Sequence, residues 1–158
     1  MIVEQILGSI HDFEGENLKI DKVLLDHYDM EKPHQKLKSQ GGSTIAVSLE
    51  HGEHLYCGAV LYKDEEKLIA VDLLPEDVLE IHPKDNVQWA RIGFNIGNMH
   101  HSAYVNEDCI LTPYDGVLEA MLKKAGAEYN RCERQLTGVR ANYGAGGHHH
   151  HHHSHGEE

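Results

Sequence analysis

What this chain lacks narrows it first. Basic residues are few: 14 Lys and Arg stand against 26 Asp and Glu, a formal net charge of −12 with histidine neutral. Such a charge repels nucleic-acid backbones and anionic lipid, so neither nucleic acid nor a membrane is expected as a partner. There are three cysteines. Cys57, Cys109 and Cys132 are odd in number and contain no C-x-x-C pair, which fits reduced thiols in the cytosol better than a disulfide framework. Each reads as a small buried hydrophobe. No apolar run approaches the roughly 20 residues of a membrane helix. Met1-Ile2-Val3-Glu4-Gln5-Ile6 has no basic segment, so no signal peptide is expected and the protein should be cytoplasmic. H-E-x-x-H, G-x-S-x-G and Walker patterns are also missing. A metal-dependent hydrolase, which needs three ligands, an open position and a base, is therefore the least favoured reading, and the chain is not expected to be an enzyme.

What is present divides into two parts and a tail. Residues 1–74 read as strands and turns, an N-terminal β domain. Met1 to Ile10 is a mostly apolar strand-like segment. Ile45 to Leu49, Leu55 to Tyr62 and Lys67 to Leu73 are further strands, whereas Asp29 to Gly42 is polar and reads as a long loop or irregular edge. Residues 75–141 change period. Val78 to Ile81 alternates as a strand, Lys84 to Asn98 as a helix with Gly97 as its stop signal, and Ser102 to Val105 and Cys109 to Leu111 as two short strands. Gly116 to Lys124 is a second helix with Val117, Leu118, Met121 and Leu122 on its core side. Gly126 caps it, and Ala127 to Leu136 closes as a strand. The order β-α-β-β-α-β is ferredoxin-like, so the fold class is α+β. Residues 142–158 hold only a small polar linker and histidines, a flexible His-rich tail.

That tail carries the first chemical signal. His148, His149, His150, His151, His152 and His153 are consecutive, and His155 follows Ser154. Neutral imidazole suits Ni²⁺, Cu²⁺ and Zn²⁺. Several imidazoles on one tether reach an ion at high effective concentration. Six terminal histidines also describe an affinity tag, although this tail continues through Ser154-His155-Gly156 in the manner of a native biased tract. If it is a tag, the chain reads instead as a partner- or peptide-binding module. Eight histidines lie elsewhere. His51 and His54 flank a glycine turn, His82 ends a strand, and His11, His27 and His34 read as surface residues. His100 and His101 differ, because they follow a helix end and open a strand. Strand alternation sends their side chains to opposite faces. A symmetric dimer would let one of them meet its own copy across a two-fold axis, so His100 is the metal candidate and His101 a secondary one.

Phe94-Asn95-Ile96 followed by Gly97-Asn98-Met99-His100 resembles the Gly-Asn-Arg-His segment of the UreE family, nickel metallochaperones of urease maturation. Lys36-Leu37-Lys38 before Gly42 to Leu49 is similar to the family's basic stretch and following strand. Leu55-Tyr56-Cys57-Gly58 with Val60-Leu61 resembles its Leu-x-x-Gly-Asp-x-Leu strand, and Leu118 to Leu122 and Arg131-Cys132-Glu133 fit as well. The resemblance implies an N-terminal domain akin to an Hsp40 peptide-binding domain, a ferredoxin-like metal-binding domain and a homodimer joined through the latter. It implies His100 as the interfacial nickel ligand, with the tail histidines auxiliary. It also implies delivery of Ni²⁺, with Zn²⁺ or Cu²⁺ able to occupy the same site, to the urease-activating GTPase and apo-urease complex. Met99 replaces the usual Arg, Ala59 replaces an Asp, and Thr112 to Gly116 lacks the extra histidines of some members.

Overall fold

The computed structural model describes residues 1–141. Two sheets enclose the first core. One has three strands, β1 (Ile2–Val3), β5 (Thr44–Ser48) and β4 (His34–Lys38), in the order β1-β5-β4. The other runs β2 (Gly8–Ser9), β6 (Ala59–Lys63), β7 (Lys67–Leu73), β3 (Lys19–Leu25). β7 shows why the sequence there is almost wholly apolar. Period-2 alternation sends Ile69, Val71 and Leu73 into the core between the sheets. Leu68 and Ala70 go to a smaller cluster behind.

Besides the strand read from Leu55 to Tyr62, which begins only at Ala59, three expectations change in this half. The segment Met1 to Ile10 is not one strand; it splits into β1 and β2, which belong to different sheets. The polar stretch from Asp29 to Gly42 holds β4, an edge strand with only Leu37 buried, so its exposed positions could be polar. The third change is β3, which was not foreseen at all. Asp21 takes an inward position on it and is only 8% exposed. Its carboxylate accepts hydrogen bonds from Ser39 Oγ at 2.6 Å and Gly41 N at 2.7 Å. A Cβ at Gly41 would lie 2.6 Å from Asp21 Oδ2, so a larger residue there would have to displace the buried carboxylate.

The second half is ferredoxin-like. Its sheet order is β11-β8-β10-β9-β12, built from β8 (Glu76–His82), β9 (Tyr104–Val105), β10 (Ile110–Pro113), β11 (Glu128–Arg134) and β12 (Val139–Arg140). All four pairings are antiparallel. Two helices, α1 (Asn86–Asn98) and α2 (Gly116–Lys124), cover one face. Ile92 and Ile96 of α1 and Leu118 and Leu122 of α2 pack on Leu79 and Ile81. Each helix starts on an aspartate: Asp85 accepts from Gln88 N, and Asp115 from Leu118 N, both at 2.8 Å. Val117, expected in the core, is 70% exposed. Among the described residues no helix is long and apolar enough to cross a membrane.

Candidate metal centre

The end of α1 is where sequence and structure diverge most usefully. The helix runs through Asn98, as expected, with Met99 as its C-cap, but Gly97 is not the residue that ends it in a left-handed turn. The His100 N–H donates to Gly97 O at 3.1 Å, and the His101 N–H donates to Ile96 O at 3.3 Å. Those two bonds form a Schellman motif with His100 at its left-handed position. His100 has φ +58°, and it is the only non-glycine residue with positive φ among the described residues. α2 ends in the same motif. There the Gly126 N–H donates to Lys123 O and the Ala127 N–H to Leu122 O, but the left-handed residue is Gly126 at φ +66°. One helix fills this position with glycine, which has no Cβ to clash; the other places an imidazole there.

His100 and His101 therefore do not open a strand, as the sequence suggested. They form a turn, and the next strand begins at Tyr104. His100 is exposed. The His101 side chain is 28% exposed, and its Nε2 lies 3.5 Å from Asp115 Oδ1. Both imidazoles sit at the negative end of the α1 dipole, which favours a cation. No basic residue occupies the last turn of α1. Met99 is half-buried against the helix-covered core, so this residue serves packing.

α1 is apolar on two sides. Ile92 and Ile96 face the core, whereas Val87 and Phe94 are 67% and 74% exposed. Seven residues apart, Val87 and Phe94 share one helix face, and Asn98 continues it toward His100. A large aromatic and a valine left in solvent on one face form the kind of apolar patch that marks an interface.

The remaining histidines are distributed otherwise. His11 pairs with Glu14 and His34 with Ser48, both at the surface. His82 ends β8 as expected and contacts Asp108 O and Glu80. His27, read as a surface residue, is instead 4% exposed. Its Nδ1–H donates to Glu76 Oε1 at 2.6 Å, tying β3's end to β8's start. His54, read as a solvated turn residue, is half-buried and lines a cavity of about 350 Å³. Residues from both halves wall that cavity, among them Met30, Leu55, Leu73, Tyr104 and Leu136. No sequence motif announces it, because its walls are distant in the chain. Cys109 is buried as expected, Cys132 is half-buried, and Cys57 is exposed, contrary to expectation. Desolvation of the Cys57 sulfur and its contact with Asp72 push the thiol pKa up, so it stays protonated. Among the described residues no three His, Cys, Asp or Glu side chains gather as a metal cluster. His148 to His153 and His155 lie outside the described residues.

Comparison with known proteins agrees along the chain. A family model described as the UreE urease accessory protein, N-terminal domain, matches residues 3–74. A second, the UreE urease accessory protein, C-terminal domain, matches residues 76–158. A urease accessory protein UreE of Bacillus cereus is 36% identical over 139 residues, spanning 86% of this chain and 92% of that protein. Its counterpart in Staphylococcus saprophyticus is 34% identical over 138 residues, with the same coverage. One from Flavobacterium johnsoniae is 28% identical over 140 residues.

Proposed function

The chain belongs to the UreE family of urease accessory proteins, and from that premise we propose that it is the nickel carrier of urease maturation. As a family member it is an accessory chaperone that handles metal and works with other maturation components; it is not an enzyme. In our reading the cargo is Ni²⁺, held in the cytoplasm by His100 of two chains in a homodimer. The recipients are the urease-activating GTPase and apo-urease. Zn²⁺ and Cu²⁺ compete for the same imidazoles, since intrinsic affinity does not favour nickel over copper.

One observation carries this reading. His100 occupies a left-handed helix-end position that glycine would fill with less strain. A strained non-glycine residue persists where the surroundings over-determine it, and such positions concentrate at functional sites. The exposed face bearing Val87 and Phe94 runs toward it, which suits a two-fold contact where one copy meets another. A single imidazole holds an ion weakly, and a second copy doubles the donors.

The mechanism is ligand exchange. Imidazoles at a subunit boundary hold the ion without the tightness of a thiolate cage. A partner's ligands can enter one at a time while the first ligands leave. The tail histidines would collect ions and feed the fixed site. The test is a nickel titration of the chain with the seven tail histidines replaced by serine. The reading expects one ion per two chains, lost in His100→Ala. Unchanged stoichiometry and affinity in that variant would refute it.

A further inference from the structure

We infer that His101 is a second imidazole donor to the cargo ion and that Asp115 is the residue that positions it. This rests on the nickel-carrier reading above. The objection to His101 was geometric: neighbours in a strand point to opposite faces. The structure removes it, because the two histidines are successive positions of a Schellman turn rather than of a strand.

Three restraints converge on His101. Its backbone is fixed by the bond from its N–H to Ile96 O. Its ring Nε2 lies beside Asp115 Oδ1 at 3.5 Å. Asp115 in turn is held in place, because the same oxygen caps α2 by accepting from Leu118 N at 2.8 Å. A metal-ligating histidine almost always directs its other ring N–H at a carboxylate or carbonyl, which fixes its tautomer and raises its basicity. His101 is placed for that arrangement, with Nε2 3.5 Å from the carboxylate, a little beyond a good hydrogen bond, and Nδ1 left as the donor to metal. An ion on Nδ1 polarises the Nε2–H and draws the 3.5 Å contact shorter. The positive end of α2 would by itself disfavour a cation nearby, and the Asp115 charge offsets it.

The ligand count then improves. One chain offers His100 and His101, and a homodimer offers four imidazoles around its axis. Among the described residues no single chain assembles three metal donors, and the second copy supplies further imidazoles to the same ion.

The experiment uses the full-length chain with its seven tail histidines replaced by serine. Nickel affinity is measured by calorimetry, and the number of coordinated imidazoles by X-ray absorption. His101→Gln should weaken binding by about tenfold or more and remove two imidazoles per dimer. Asp115→Asn keeps the helix cap, since Asn caps as well as Asp. It should weaken binding by about tenfold while leaving the unfolding midpoint in place. The inference is overturned if His101→Gln leaves both affinity and imidazole count unchanged. It is also overturned if Asp115→Asn weakens binding only by unfolding α2. A loss in His101→Gln with none in His100→Gly would support this inference and refute the interfacial His100 reading instead.

Discussion

Replacing His100 by glycine should make the protein more stable while destroying its function. A residue with a Cβ in the left-handed region pays about 1–2 kcal/mol relative to the right-handed one. Glycine escapes that strain but loses about 0.5–1 kcal/mol through the extra freedom of its unfolded state. The difference leaves His100→Gly more stable by about 0–1.5 kcal/mol, centred near about 0.75 kcal/mol, or up to about 6 °C in a chain of this size. The exposed ring gives little packing to offset this. α2 provides the reverse experiment. A Cβ at Gly126 meets nothing within 4 Å, so Gly126→His adds only the backbone cost and should lose a similar amount. Urea denaturation in chelator is the assay, because bound metal would itself stabilise the native state. The ranking expected at position 100 is glycine, then histidine, then alanine. A His100→Gly protein less stable than its parent, or Gly126→His without loss, would refute the argument from strain.

Other outcomes follow from the same geometry. Asp21→Ala should cost about 1.5–3 kcal/mol, because Ser39 and the Gly41 N–H lose a charged acceptor. Burial opposes ionisation of Asp21, but the Ser39 and Gly41 hydrogen bonds and the charges of Lys67 and Lys19 prevail and hold its pKa below the usual value. A carboxylate with a lowered folded-state pKa contributes stability that is fully present above its unfolded pKa of about 3.9 and disappears as pH falls through the folded one. The stability gap between the parent and Asp21→Asn should therefore close below about pH 4. Phe94→Asp should convert a dimer to monomer in analytical ultracentrifugation; because the side chain is 74% exposed, the monomer's unfolding should shift by no more than about 0.5 kcal/mol. Acidification from about pH 7.5 to 5.5 should release nickel, because imidazole must be neutral to bind and its reference pKa is about 6.5. Retention at the lower pH, seen by equilibrium dialysis, would point to carboxylate ligands.

The second half of the fold was legible because its apolar residues keep a regular period. Ile92 and Ile96, and Leu118 and Leu122, are spaced for one helix face, and Gly126 marks a helix end by its chemistry. The first half was less legible. β3 carries Asp21 inward, and a buried acid satisfied by partners 18 and 20 residues away leaves no local pattern. β4 is polar because an edge strand buries only one position in five. At the site, the family-like segment points to His100, but nothing in it signals the left-handed backbone that His100 adopts. Gly97 looked like the terminator because glycine usually holds the left-handed position, and here a histidine holds it. His27 was missed for a related reason: its partner Glu76 lies 49 residues away, and only the tertiary fold brings a carboxylate to it.

The central claim is that a pair of His100 side chains, one from each chain, holds the cargo ion. Native mass spectrometry of the chain lacking its seven tail histidines, mixed with limiting Ni²⁺, tests it directly. The account predicts nickel on dimers alone, one ion per two chains, with a much smaller fraction of His100→Ala dimers loaded. Nickel carried by monomers at one ion per chain, or His100→Ala dimers loaded as fully as the parent, would contradict it.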